Sequence, residues 1–126
     1  MARMKRIADS EWEIIKILLK KDGLSGSEVQ RLLKPRVQWA ATTVKTLLAR
    51  LVRKGILGHR TEGKTFLYSL RVPREQLLRD ESEAFSRRVF DNMSAPMIAF
   101  FVRNTSLTKD DLKSLRSVLR EKENRK

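Results

Sequence analysis

A chain of 126 residues with ordinary apolar content, five Gly and three Pro has room for one domain or two small units, and its composition points to a mostly helical protein. It contains no cysteine, which excludes disulfides, thiolate metal sites and a Cys nucleophile, and fits a cytoplasmic setting. The net charge of +13 is the strongest bulk signal, and it asks for an anionic partner.

Residues 1–72 hold 16 Lys and Arg against 6 Asp and Glu, and residues 73–126 hold 12 against 9. No acidic residue occurs between Glu28 and Glu62, a stretch that carries eight Lys and Arg. A solubility surface normally mixes both signs, so a single-signed block of this length predicts a polyanion, with nucleic acid the default. No apolar run approaches the roughly 18 residues of a membrane span, and Met1–Lys5 is not followed by a signal-peptide core. Membrane insertion is not expected.

Residues 1–6 carry Arg3, Lys5 and Arg6 and read as a basic arm, with Ile7 starting a short strand or packing back. A first helix opens near Asp9-Ser10, where Ser10 and Glu13 have capping-box spacing, and ends at Asp22-Gly23. Trp12, Ile15, Leu18 and Leu19 supply its apolar side. A second helix starts on another capping box, Ser25 with Glu28, has Val29, Leu32 and Leu33 as its apolar side, and stops before Pro35.

The third helix starts near Ala40, with Trp39 packed at its entrance. With Val44 at zero on a wheel of about 100° per residue, Leu47, Leu48, Leu51 and Val52 fall within roughly 80° of it. Thr42, Thr46, Arg50 and Arg53 lie on the far side, flanked by Thr43 and Lys45. A Gly break follows, then a hairpin with strands at about Leu57–Arg60 and Phe66–Leu70 and a Glu62-Gly63 turn. Leu57, Phe66 and Tyr68 are expected to anchor that hairpin on the core.

Three short helices and a hairpin make a winged helix-turn-helix. In that arrangement the third helix enters the major groove, and its N-terminal side chains reach base edges. Thr42, Thr43, Lys45 and Thr46 are the candidate base contacts. Arg50, Arg53, Arg60 and Lys64 are the candidate backbone contacts, which set position and not sequence.

The run Thr42-Thr43-Val44-Lys45-Thr46-Leu47-Leu48, then Arg50-Leu51, Lys54-Gly55-Ile56-Leu57, Gly63-Lys64 and Tyr68, resembles the penicillinase-repressor (BlaI/MecI) family. Glu11-Trp12-Glu13 matches its first helix. The resemblance implies a dimeric winged-helix repressor that binds operators of dyad symmetry in double-stranded DNA, with the base-reading positions at Thr42, Thr43, Lys45 and Thr46. Copper-responsive CopY repressors of the same group carry a Cys-x-Cys pair near the C-terminus. The segment from Arg116 to Lys126 has none, which disfavours thiolate metal sensing. In the β-lactam branch a sensor-linked protease cuts an Asn-Phe bond. An ungapped match places Phe100 and Phe101 there, keeping Phe but not Asn.

The C-terminal third reads as an association module of three helices. One runs from Pro73 to about Asn92, one holds the apolar run Pro96–Val102, and the last is capped by Thr108 with Asp111. Phe85, Val89, Met97, Phe100, Phe101, Leu112, Leu115 and Leu119 are the candidate dimer interface. The fold class is thus mainly α with a small β-hairpin, divided into a winged helix-turn-helix DNA-binding domain at 1–72 and a helical dimerisation domain at 73–126.

Enzyme chemistry finds no foothold. His59 is the single histidine, Asp110 and Asp111 are adjacent on a helix and point apart, and there is no phosphate-binding Gly-rich loop. No cofactor or metal is expected. The competing reading is a sequence-tolerant architectural DNA- or RNA-binding protein. A winged helix used only for protein contact is the third.

Overall fold

The computed structural model describes residues 6–125. The elements run α1 (Asp9–Lys20), β1 (Leu24–Ser25), α2 (Gly26–Leu33), α3 (Ala41–Arg53), β2 (Leu57–Glu62), β3 (Thr65–Leu70), α4 (Arg74–Phe90), α5 (Ser94–Asn104) and α6 (Lys109–Glu123). They form two compact units that divide between Ser82 and Glu83, within α4.

In the first unit α1, α2 and α3 enclose a core closed on one side by an antiparallel sheet of order β1-β3-β2. Ile14, Ile15, Leu18, Val29, Leu33, Val44, Leu48, Leu51, Ile56 and Leu57 are essentially fully buried, and Leu77 joins them from α4. The apolar wheel of α3 is therefore the face that packs. Ile7 packs back and forms no strand. Trp12 and Trp39 lie half-buried against the same core.

The α2 capping box forms in full: Glu28 N–H donates to Ser25 Oγ at 3.2 Å, and Ser25 N–H donates to Glu28 Oε1 at 3.0 Å. The Ser10–Glu13 box does not form. The N-cap is Ala8, whose N–H donates to Glu11 Oε1 at 2.8 Å, and Glu13 instead pairs with Arg36 at 2.9 Å. The start of α1 is set by where Glu11 must lie, as shown below.

Two further details of the wing differ from expectation. Leu24 and Ser25 form a third strand, paired with Tyr68 and Leu67, too short for periodicity to reveal. The hairpin turns at Gly63-Lys64, since Glu62 pairs with Thr65. Gly63 has φ +64°, so it takes the left-handed position that a two-residue loop reserves for Gly.

In the second unit α4 ends where Asp91 and Asn92 take φ values of +51° and +64°. Both residue types tolerate the left-handed region better than most. The apolar run forms α5, and Thr108 caps α6 as expected, accepting from Asp111 N–H at 3.0 Å. Neither α5 nor α6 contains a buried residue. Among the described residues no helix is long and apolar enough to cross a membrane.

Candidate nucleic-acid interface

Helix α3 has neither a side-chain cap nor an acidic first turn, so its N-terminal end carries only the positive pole of the helix dipole and neutral hydroxyls. Thr42, Thr43, Lys45, Thr46 and Arg53 are all exposed along it. Thr46 Oγ1 donates to the Thr42 carbonyl at 2.9 Å, which fixes its hydroxyl and leaves its lone pairs outward. Four of these five residues are the candidate base readers. Arg53 lies in the last turn and forms no ion pair among the described residues.

The cations assigned to the backbone differ in their surroundings. Arg50 is half-exposed and turns Nε toward Glu11 Oε2 at 3.4 Å. Arg60 and Glu62 face each other at 3.5 Å on the outer wing, both exposed. Lys64 stands at the hairpin turn and, with Lys45 of α3, lines a groove of about 560 Å³. The start of α2, from Ser25 to Ser27, and Gln30 also line that groove. Lys45 therefore faces the wing side of α3, off the threonine row.

Sequence reasoning missed Glu11. Its side chain is wholly inaccessible to solvent, and it accepts from Ala8 N–H and from Lys54 Nζ while Arg50 approaches its second oxygen. Burial pushes its carboxyl pKa up, but the Lys54 hydrogen bond, the Ala8 amide and the charges of Lys54 and Arg50 outweigh that and hold it below the usual range. Lys54 Nζ also donates to the Arg6 carbonyl at 2.8 Å, so one ammonium ties α3, α1 and the N-terminal segment together. The signal was available. Glu11 falls in the i, i+3, i+4, i+7 series with Ile14, Ile15 and Leu18, and two cations four apart, Arg50 and Lys54, stand on the facing helix.

A second surface lies in the second unit. Phe85, Phe90, Phe100 and Phe101 gather with neighbouring ring centroids 5.9 to 6.4 Å apart, yet Phe100 and Phe101 stay 51 % and 46 % exposed. Val89, Leu112, Leu115 and Leu119 are exposed as well, and Met97 is half-buried. All eight candidate interface residues lie on these three helices, and none is buried. Among the described residues no group of three His, Cys, Asp or Glu could hold a metal ion.

A family model described as penicillinase repressor matches residues 7–121. The chain belongs to the penicillinase repressor family. This member is 29 % identical over 126 residues to the penicillinase repressor of Bacillus licheniformis, covering all of this chain and 98 % of that one. It is 26 % identical over 116 residues to the methicillin resistance regulatory protein MecI of Staphylococcus aureus, covering 92 % and 94 %. Among solved structures it is similar to the monomeric form of Bacillus licheniformis BlaI in complex with the blaP half-operator. That match has a TM-score of 0.51 and 32 % identity, and spans 60 % of this chain and 92 % of that one.

Proposed function

We propose that this member of the penicillinase repressor family is a cytoplasmic, non-enzymatic transcriptional repressor that binds a dyad operator in double-stranded DNA as a homodimer. The observation that carries the reading is the exposed face of α3, hydroxyls first and Arg53 behind, in a stretch without a carboxylate from Val29 to Thr61. The half-operator complex of the similar BlaI supports it. On this reading residues 1–72 bind DNA and residues 73–126 dimerise.

Thr42, Thr43 and Thr46 read bases; Lys45, first assigned with them, stands toward the wing and its role is taken up below; Arg50, Arg53, Arg60 and Lys64 meet the backbone. Of these cations Arg50 is the most constrained, because Glu11 already holds one edge of its guanidinium. Dimerisation covers the exposed apolar residues of α4, α5 and α6, for which two-fold pairing is the commonest solution. Release by a sensor-linked protease at Phe100–Phe101 belongs to the same reading. Those residues lie inside α5, so cleavage first requires that helix to open.

The test is selection of bound duplexes from a random DNA pool with the full chain, followed by affinity measurement on the selected site and a scrambled one. A palindromic site and a large affinity ratio are expected, whereas a ratio near one would retire the repressor in favour of a sequence-tolerant binder. Thr46→Ala is expected to relax preference at one or two positions, for a cost of about 1–3 kcal/mol on the selected site. Arg53→Ala is expected to weaken every duplex alike and to shallow the salt slope by about one. If the two variants behave identically, the division between readers and clamps is wrong.

A further inference from the structure

The three residues expected to anchor the wing part company. Leu57 and Tyr68 are buried, at 1 % and 8 % exposure, but Phe66 is 47 % exposed. Its ring lies flat on His59, with centroids 4.5 Å apart and planes 20° apart, and meets Tyr68 edge-on at 6.4 Å. The neighbours thus hold the ring in place without covering it. Phe66 lines the groove between α3 and the wing, whose lining also includes Lys45 of α3 and Lys64 of the wing and no carboxylate.

We propose that this groove seats one sugar–phosphate strand of duplex DNA, with Lys45 and Lys64 on its phosphates and the open face of Phe66 against a deoxyribose. The inference deepens the DNA-binding reading above and rests on it. The occupant follows from the chemistry of the walls. A DNA strand alternates an anionic phosphate with a largely apolar sugar, and the groove offers two cations, one from α3 and one from the wing, together with an open apolar ring. An acidic peptide would satisfy the lysines, but it has no regular apolar partner for a fixed aromatic face. Lys45 then acts as a backbone contact, and the threonine row alone faces the bases. His59 is a positioning residue: it touches the ring and sets its plane.

The experiment is a salt series from about 50 to 200 mM, with the full chain and the duplex selected above, in which ionic and apolar contacts separate. Phe66→Ala is expected to weaken binding about tenfold at every salt concentration without changing the slope, as loss of a partly buried aromatic contact should. Phe66→Leu is expected to restore most of that loss, and it controls for a wing that fails to fold. Lys45→Ala and Lys64→Ala should each lower the slope by about one, on selected and scrambled duplexes alike.

Wild-type affinity in Phe66→Ala would overturn the proposal. So would a Lys45→Ala variant that changes sequence preference at constant slope, or a single strand that competes better than the duplex, which would make Phe66 a base-stacking platform. The parent reading fails separately. A wild-type chain that does not distinguish selected from scrambled DNA, while the Phe66 and lysine effects persist, supports the groove and removes the repressor. A chain that binds no duplex overturns both.

Discussion

Lys54→Met is expected to destabilise the first unit by about 3 kcal/mol at neutral pH, in the range found when one partner of a buried ion pair is removed. The variant keeps most of the side-chain volume, so the loss reports the charge. It leaves Glu11 fully buried with the Ala8 amide and an Arg50 that approaches only through Nε. The pH dependence distinguishes this from a packing defect. In the wild type the Glu11 carboxyl is held below its ordinary value, so its contribution is present above the ordinary carboxylate range and fades as pH falls through the lowered one. Without Lys54 the upward push of burial loses its main opponent, and Glu11 titrates higher. Stability of the variant should then improve on acidification where that of the wild type declines, and the two urea-unfolding curves should converge toward low pH. Parallel pH profiles would show that the carboxylate is solvated well enough to do without its ammonium.

Phe101→Asp is the second large effect. Phe101 stacks on Phe85 at 5.9 Å and is half open to solvent in the single chain. A carboxylate placed in a closed apolar interface must be desolvated without a partner, which disfavours association strongly. If α5 closes the proposed homodimer, monomers are expected in sedimentation at concentrations where the wild type sediments as a dimer. Operator affinity should fall by about 10²- to 10⁴-fold, since the second half-site then loses the effective concentration that linkage supplied. Affinity for an isolated half-site should be unchanged. A dimer that survives the substitution would remove α5 from the interface.

The parts of the molecule legible in the sequence are those where one short-range pattern suffices. The stripe of Val44, Leu47, Leu48 and Leu51 is a 3.6-residue repeat, and the caps at Ser25 and Thr108 are three-residue spacings, so each could be read directly. What escaped notice depends on partners distant in the chain. Strand β1 exists because β3 offers it an edge, and two residues carry no period of their own. The buried ion pair of Glu11 carries no local mark, because its cations lie on another helix, 39 and 43 positions away. Phe66 looked like a core residue because β-strand aromatics usually are. It shares the face of buried Tyr68 but lies two residues nearer the hairpin tip, past the edge of the core and beside His59. In the site, residue types pointed to the threonine row, while the sharing of one groove by Lys45 and Lys64 required the hairpin to be folded back toward α3.

The sheet order β1-β3-β2 bears on how the unit moves. Strand β3 is central, so the wing is laced to the α1–α2 connection twice: through Leu24 and Ser25, and through the Leu70 amide donating to Asp22 Oδ1 at 2.9 Å, 48 positions away. Ser25 is at once a strand residue and the cap of α2. A wing stitched in this way cannot fray as a separate hairpin. Its inner-strand amides should exchange with deuterium only when the helices open too, as one cooperative unit. Tension applied at the hairpin tip is passed to the first turn of α2, so strain on the wing and loosening of the helix-turn-helix are a single mechanical event.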